Sequence, residues 1–217
     1  MAHTGPAAHA TTDVVLVTNH HPRSTHLDAL AHQSLDGRVY PGRLLTDSVS
    51  PAGVTHGSTT AFAAGVVTRG VLLDLAATGP LPVGHAVTAQ DLDAAEKRQG
   101  VTVESGDALV VRFGQPTTPA PPMPGVSIDA VRWMHRRGVS LYAGDTGDAF
   151  PAPDPEAPLP LHGIGLVLLG MPLIDAANVE ELAAVCGELS RHTFLLTVAA
   201  PRIHGLTGVP VNPLAVF

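Results

Sequence analysis

The chain is poor in positive charge, in aromatic rings and in sulfur. Its 217 residues hold one lysine, Lys97, beside eleven arginines and 19 acidic residues, for a formal net charge of −7. A nucleic-acid surface needs a stripe of cations to displace the counterions of a phosphate backbone, and this composition offers none. The single cysteine, Cys186, excludes an internal disulfide and any zinc module built from several cysteines. It sits in the apolar run 182–189, where a thiol acts as a small buried hydrophobe rather than a nucleophile. No run of about eighteen apolar residues offers a membrane span. The first residues have neither the basic start nor the apolar core of a secretion signal, so the cytoplasm is the expected compartment.

What is present is a globular composition, 45% apolar and only 14% charged. A chain of this length buries one sizeable core, so residues 1–217 are read as a single domain with 1–12 as a loose lead-in. The low surface charge favours interfaces between copies. Residues 13–18 form a β-branched run that reads as a strand, and 70–75, apolar but for Asp74, read as a strand covered on both faces. Thr88 caps a helix that Gly100 stops, and Ser127 caps another reaching Arg137. Strands are expected over 107–113, 139–142 and 193–200, and a capping box at 178–181 starts a third helix. A proline-rich loop covers 116–124, and five prolines within 150–160 make a stiff arm. The alternation of strand and helix predicts an α/β fold with a partly parallel sheet.

The chemistry concentrates in residues 20–32, where His20, His21, His26 and His32 accompany Asp28. Imidazole and carboxylate hold divalent ions at neutral pH, and imidazole also moves protons there. In an extended segment His26 and Asp28, two apart, face the same way. If the chain coils after Asp28, His32 returns to that side. His56, His85, His135 and His192 lack such company and are read as surface or structural residues.

Ser24-Thr25-His26-Leu27-Asp28-Ala29-Leu30-Ala31-His32 resembles the signature of the metal-dependent cyclase-like hydrolases, the family of bacterial kynurenine formamidase and isatin hydrolase, written H-x-G-T-H-x-D-x-P-x-H. Asp36-Gly37-Arg38-Val39-Tyr40-Pro41-Gly42, Ala143-Gly144-Asp145-Thr146, Leu161-His162, Pro172-Leu173-Ile174-Asp175 and the segment from His204 to Val211 are similar to later family segments, in family order. The resemblance implies a swivelling β/β/α mixed sheet flanked by helices, working as a homodimer or homotetramer on a small-molecule substrate. It implies one or two divalent ions, zinc or manganese, that activate water against an amide, lactam or lactone carbonyl, or support ring closure in secondary metabolism. By position, His26, Asp28, His162 and Asp175 become metal ligands and His32 the acid/base histidine.

Three departures stand out. The first signature histidine falls on Pro22, which cannot coordinate, so His21 or His20 substitutes from an altered loop or the site has one ligand fewer; His21 is counted among the expected ligands. Asp175 stands where glutamate is usual, and Leu30 where proline is. These departures carry a second reading, a catalytically impaired relative that binds a small carbonyl compound or a metal.

Overall fold

The computed structural model describes residues 3–5, 8–10, 13–22, 24–115 and 121–217, so part of the lead-in and residues 116–120 of the proline-rich loop lie outside the described residues. Eight strands build one curled mixed sheet: β1 (His26–Asp28), β2 (Val66–Asp74), β3 (Ala108–Arg112), β4 (Leu141–Gly144), β5 (Leu173–Asp175), β6 (Thr193–Val198), β7 (Gly208–Pro210) and β8 (Leu214–Val216). Their spatial order is β7-β1-β5-β4-β3-β2-β6-β8. The four central strands run parallel, with β1, β6, β7 and β8 antiparallel to their neighbours. Within the lead-in, His3–Gly5 pairs with Ala8–Ala10.

Helix α1 (Ala89–Gln99) connects β2 to β3, α2 (Ile128–Arg137) connects β3 to β4, and a π-helical turn (Pro160–Leu166) connects β4 to β5. Helices α1 and α2 start and stop where their chemistry requires. Thr88 accepts from Asp91 N–H while Asp91 accepts from Thr88 N–H, a complete capping box, and Gly100 ends α1 in the left-handed region. Helix α3 (Glu180–Leu189) lacks the capping box expected at 178–181: its N-cap is Val179, and Asn178 N–H goes instead to Thr25 Oγ1.

Strand alternation divides the core. Val71, Leu73, Leu109, Val111, Tyr142 and Leu173 point to one face, under α1, α2 and the π-helical turn. Leu72, Ala108, Val110, Leu141, Ala143 and Ile174 point to the other, where α3 packs. The continuous apolar runs of the central strands are the consequence of being covered twice.

One expected strand is absent. Residues 13–18 carry no strand, and Val14, Val15 and Leu16 are more than four-fifths exposed. A β-branched run becomes a strand only when a sheet edge receives it, and both sides of β1 are already taken by β7 and β5.

Two outcomes follow from this packing. A Cβ on Gly70 of β2 would collide with the ring of Phe194 in β6. Gly70→Ala is expected to lower the unfolding free energy by about 1–3 kcal/mol in urea denaturation, and Phe194→Leu should recover part of the loss. Burial, with a contribution from Asp74, pushes the Cys186 thiol up to about 11. A disulfide reagent at neutral pH should therefore modify Cys186 only as fast as the protein opens.

Candidate metal centre

The site lies at the carboxyl end of the parallel strands, where open α/β sheets bind their ligands. Antiparallel pairing sets His26 opposite Asp175 and Asp28 opposite Leu173, so His26, Asp28 and Asp175 share one face. After β1 the chain turns, with His32 N–H bonded to Ala29 C=O at 2.8 Å, and this carries His32 back over Asp28. The π-helical turn supplies His162 on the same side.

Asp28 is the centre of the group and has no exposed surface. Its Oδ1 lies 2.9 Å from His20 Nδ1 and 3.5 Å from His26 Nε2, and its Oδ2 lies 3.4 Å from His162 Nε2. His162 Nε2 is also 3.7 Å from Asp175 Oδ2. Among the described residues, Asp28 Oδ2 has no hydrogen-bond partner. Burial works against charge on Asp28, but the imidazoles of His162, His20 and His32 outweigh it and hold the carboxyl below the usual carboxylate range.

Two of the imidazoles are aimed by their second nitrogen. His26 Nδ1 donates to Ser24 C=O at 2.7 Å, and His162 Nδ1 donates to Asp148 at 2.6 Å, so both turn Nε2 toward Asp28. Asp148 also accepts from the Leu161 and His162 amides, which fixes the start of the π-helical turn. Burial opposes charge on His162, yet Asp148 and Asp28 hold its pKa well above the ordinary imidazole value. Burial and the Asp28 carboxylate raise Asp175 against the pull of His162. Burial, with the imidazoles of His20, His162 and His26, pushes His32 down to about 4 against the pull of Asp28. Among the described residues, the ring nitrogens of His32 make no hydrogen bond.

Ligand atoms from His20, Asp28 and His32 lie within 4.8 Å of one another, as do those from His26, Asp28 and Asp175. The two groups share Asp28. A buried carboxylate oxygen that faces imidazole nitrogens and makes no hydrogen bond among the described residues suits a divalent cation. The donor set of imidazole and carboxylate fits zinc or manganese.

The structure thus brings together His26, Asp28, His32, His162 and Asp175. His21 is exposed and belongs to neither group; its neighbour His20 is the one turned inward. Adjacent loop residues point to different sides, and the sequence has no signal that separates them. Asp145, in the segment after β4 that resembles a family one, accepts from the Phe113 and Gln115 amides. Thr25 donates to Ala176 C=O. The orienting carboxylate is Asp148, three residues further along the same glycine-containing loop.

A cavity of about 260 Å³ opens onto the group, lined by His20, His26, His32, Asp175, Pro22 and Met123 among others. A larger one, about 470 Å³, lies across the sheet between α3 and β8, with Val110, Ile174, Leu182 and Leu214 in its wall. It has no cluster of titratable groups, so the chemistry belongs to the smaller cleft.

Fold and site together define an α/β protein with a histidine–aspartate centre of the metal-binding kind. Residues 3–149 match the family described as "Putative cyclase", and the chain belongs to that cyclase family. It is similar to the crystal structure of a novel cyclase at 30% identity and TM-score 0.80, covering 89% of this chain and 69% of that one. An isatin hydrolase bound to the product analogue thioisatinate shares the fold at 19% identity and TM-score 0.62, covering 97% and 76% of the two chains. Isatin hydrolase A from Ralstonia solanacearum does so at 22% identity and TM-score 0.59, covering 89% and 71%. No curated protein matches the sequence. Among the described residues no helix is long and apolar enough to cross a membrane.

Because Asp148 alone aims His162, Asp148→Asn should weaken zinc affinity by about 10- to 100-fold in a chelator competition titration. Thermal unfolding should shift as well, since two amides of the π-helical turn lose an ionised acceptor.

Proposed function

We propose that the chain is a divalent-metal-dependent hydrolase that opens an amide, lactam or lactone carbonyl of a small molecule. The observation that carries this reading is Asp28 Oδ2, buried and without a hydrogen-bond partner among imidazoles and a second carboxylate. His26 and His162 would hold the ion through Nε2, their Nδ1 atoms being engaged elsewhere, and Asp28 and Asp175 would supply the carboxylates. When bound, zinc or manganese polarises the carbonyl and brings the pKa of water toward about 7. His32, whose ring makes no hydrogen bond among the described residues, takes the proton of the attacking water and passes it to the leaving nitrogen or oxygen. The cleft of about 260 Å³ is near the lower end of ligand pockets and suits a compact substrate.

The same reading has the protein acting as a homodimer or homotetramer in the cytoplasm. Val67, Leu195, Leu214 and Val216 are exposed on one face of β2, β6 and β8, a patch of the kind that a second copy covers. The net charge of −7 gives no support to nucleic acid as a partner.

Isatin and N-formylkynurenine are the substrates to try first, on protein stripped with a chelator and reloaded with zinc or manganese. Hydrolysis should return with metal, and His32→Ala should lower kcat by about 10²- to 10⁴-fold with metal content unchanged. A reloaded protein inert toward both, yet still holding metal, would favour the impaired-relative reading that Pro22 motivates.

A further inference from the structure

A proline ring at position 22 offers no donor to an ion, although Pro22 lines the cleft. His20, two residues earlier, turns inward instead. Its Nδ1 lies 2.9 Å from Asp28 Oδ1, and its Nε2 lies 3.1 Å from Thr207 Oγ1. The ring stacks on His32 with centroids 3.7 Å apart and meets His26 edge-on at 5.3 Å.

The seat for this ring is built into a distant strand. Gly208 of β7 pairs with Asp28, and a Cβ there would collide with the His20 imidazole. Its backbone lies outside the left-handed region, so glycine is needed at 208 for room and not for conformation. The residues before it contrast sharply: Val14, Val15 and Leu16 are almost fully exposed, whereas the His20 side chain is only 26% exposed. The loop is held at its histidine.

We propose that His20 is a ligand of the divalent ion, presenting Nδ1 beside Asp28 in place of the donor that Pro22 cannot supply. This rests on the metal dependence proposed above. Thr207 is its positioning residue: with Nδ1 on the ion, Nε2–H would donate to Thr207 Oγ1, 3.1 Å away. The ligand has thus moved two positions along the loop, and Gly208 gives it space.

The experiment is a cobalt titration of the chelator-stripped full chain, followed by visible absorption, with zinc competition for affinity. His20→Ala, and His20→Asn, which keeps an amide donor for Asp28, should each lose at least about 10-fold in affinity and shift the cobalt spectrum. His21→Ala should change neither. Gly208→Ala keeps every donor but crowds the ring, and should reproduce the His20→Ala loss without adding to it in the double variant. Circular dichroism checks that each variant is folded. Wild-type affinity and spectrum in both His20 variants, with binding abolished in His26→Ala, would overturn the role of His20 and leave the metal reading standing. Equal losses in His20→Ala and His21→Ala would also overturn it, as an effect of the loop. A wild-type chain that binds neither cobalt nor zinc would remove both proposals together.

Discussion

Taking an ionised carboxylate out of water costs several kcal/mol unless donors or opposite charge replace the lost solvation. Asp28 has no exposed surface, so that replacement has to come from the protein around it. Its own backbone is locked between β7 and β5, which occupies the strand amides in the ladder and leaves side chains to do the compensating. Imidazoles arrive from three places: His20 from the preceding loop, His26 from the same strand, and His162 from the π-helical turn after β4. One oxygen is still left without a hydrogen bond, and a divalent cation is the group whose charge answers that deficit.

The fold makes this convergence rigid. The parallel strands bring Asp145 and Asp175 to one end of the sheet, and β1, inserted antiparallel to β5, faces His26 and Asp28 toward it. The loop after β4 is tied down by Tyr142 Oη, which donates to Thr146 C=O at 2.7 Å, and by Thr146 Oγ1, which donates to Pro124 C=O at 2.9 Å. Asp148, at the end of that loop, then grips the first amides and the imidazole of the π-helical turn. His162 is aimed through this series of short contacts, each buried or half-buried, which is how a ligand on an irregular segment gains the precision of one on a strand.

Much of this architecture is legible in the sequence because it is locally encoded. Thr88 and Asp91, Gly100, Ser127 and Gly138 mark helix ends by satisfying or terminating backbone hydrogen bonds on the spot. The central strands announce themselves by unbroken apolar runs. What failed was local preference without a partner: residues 13–18 have the composition of a strand but no free sheet edge beside β1. The choice between His20 and His21 is likewise non-local, since it is made by Gly208 and Thr207 at the far end of the chain. Asp148 escaped for the same reason, its role being visible only when the π-helical turn is placed above it.

The two cavities show why size alone does not locate chemistry. The larger, about 470 Å³, is walled mainly by aliphatic side chains and can reward burial of an apolar body, but its Glu181 has no histidine beside it among the described lining residues. The smaller, about 260 Å³, sets His20, His26, His32, Asp145 and Asp175 beside Pro22, Met123 and Ala176, so polar groups converge on whatever enters it. Orientation in such a cleft has to come from directed contacts, to the ion and to His32. On the proposed function, such a site would discriminate by where the carbonyl sits relative to Asp28 as well as by how the remainder of the molecule fits. Asp28, a carboxylate with no exposed surface, is the group around which those contacts are arranged.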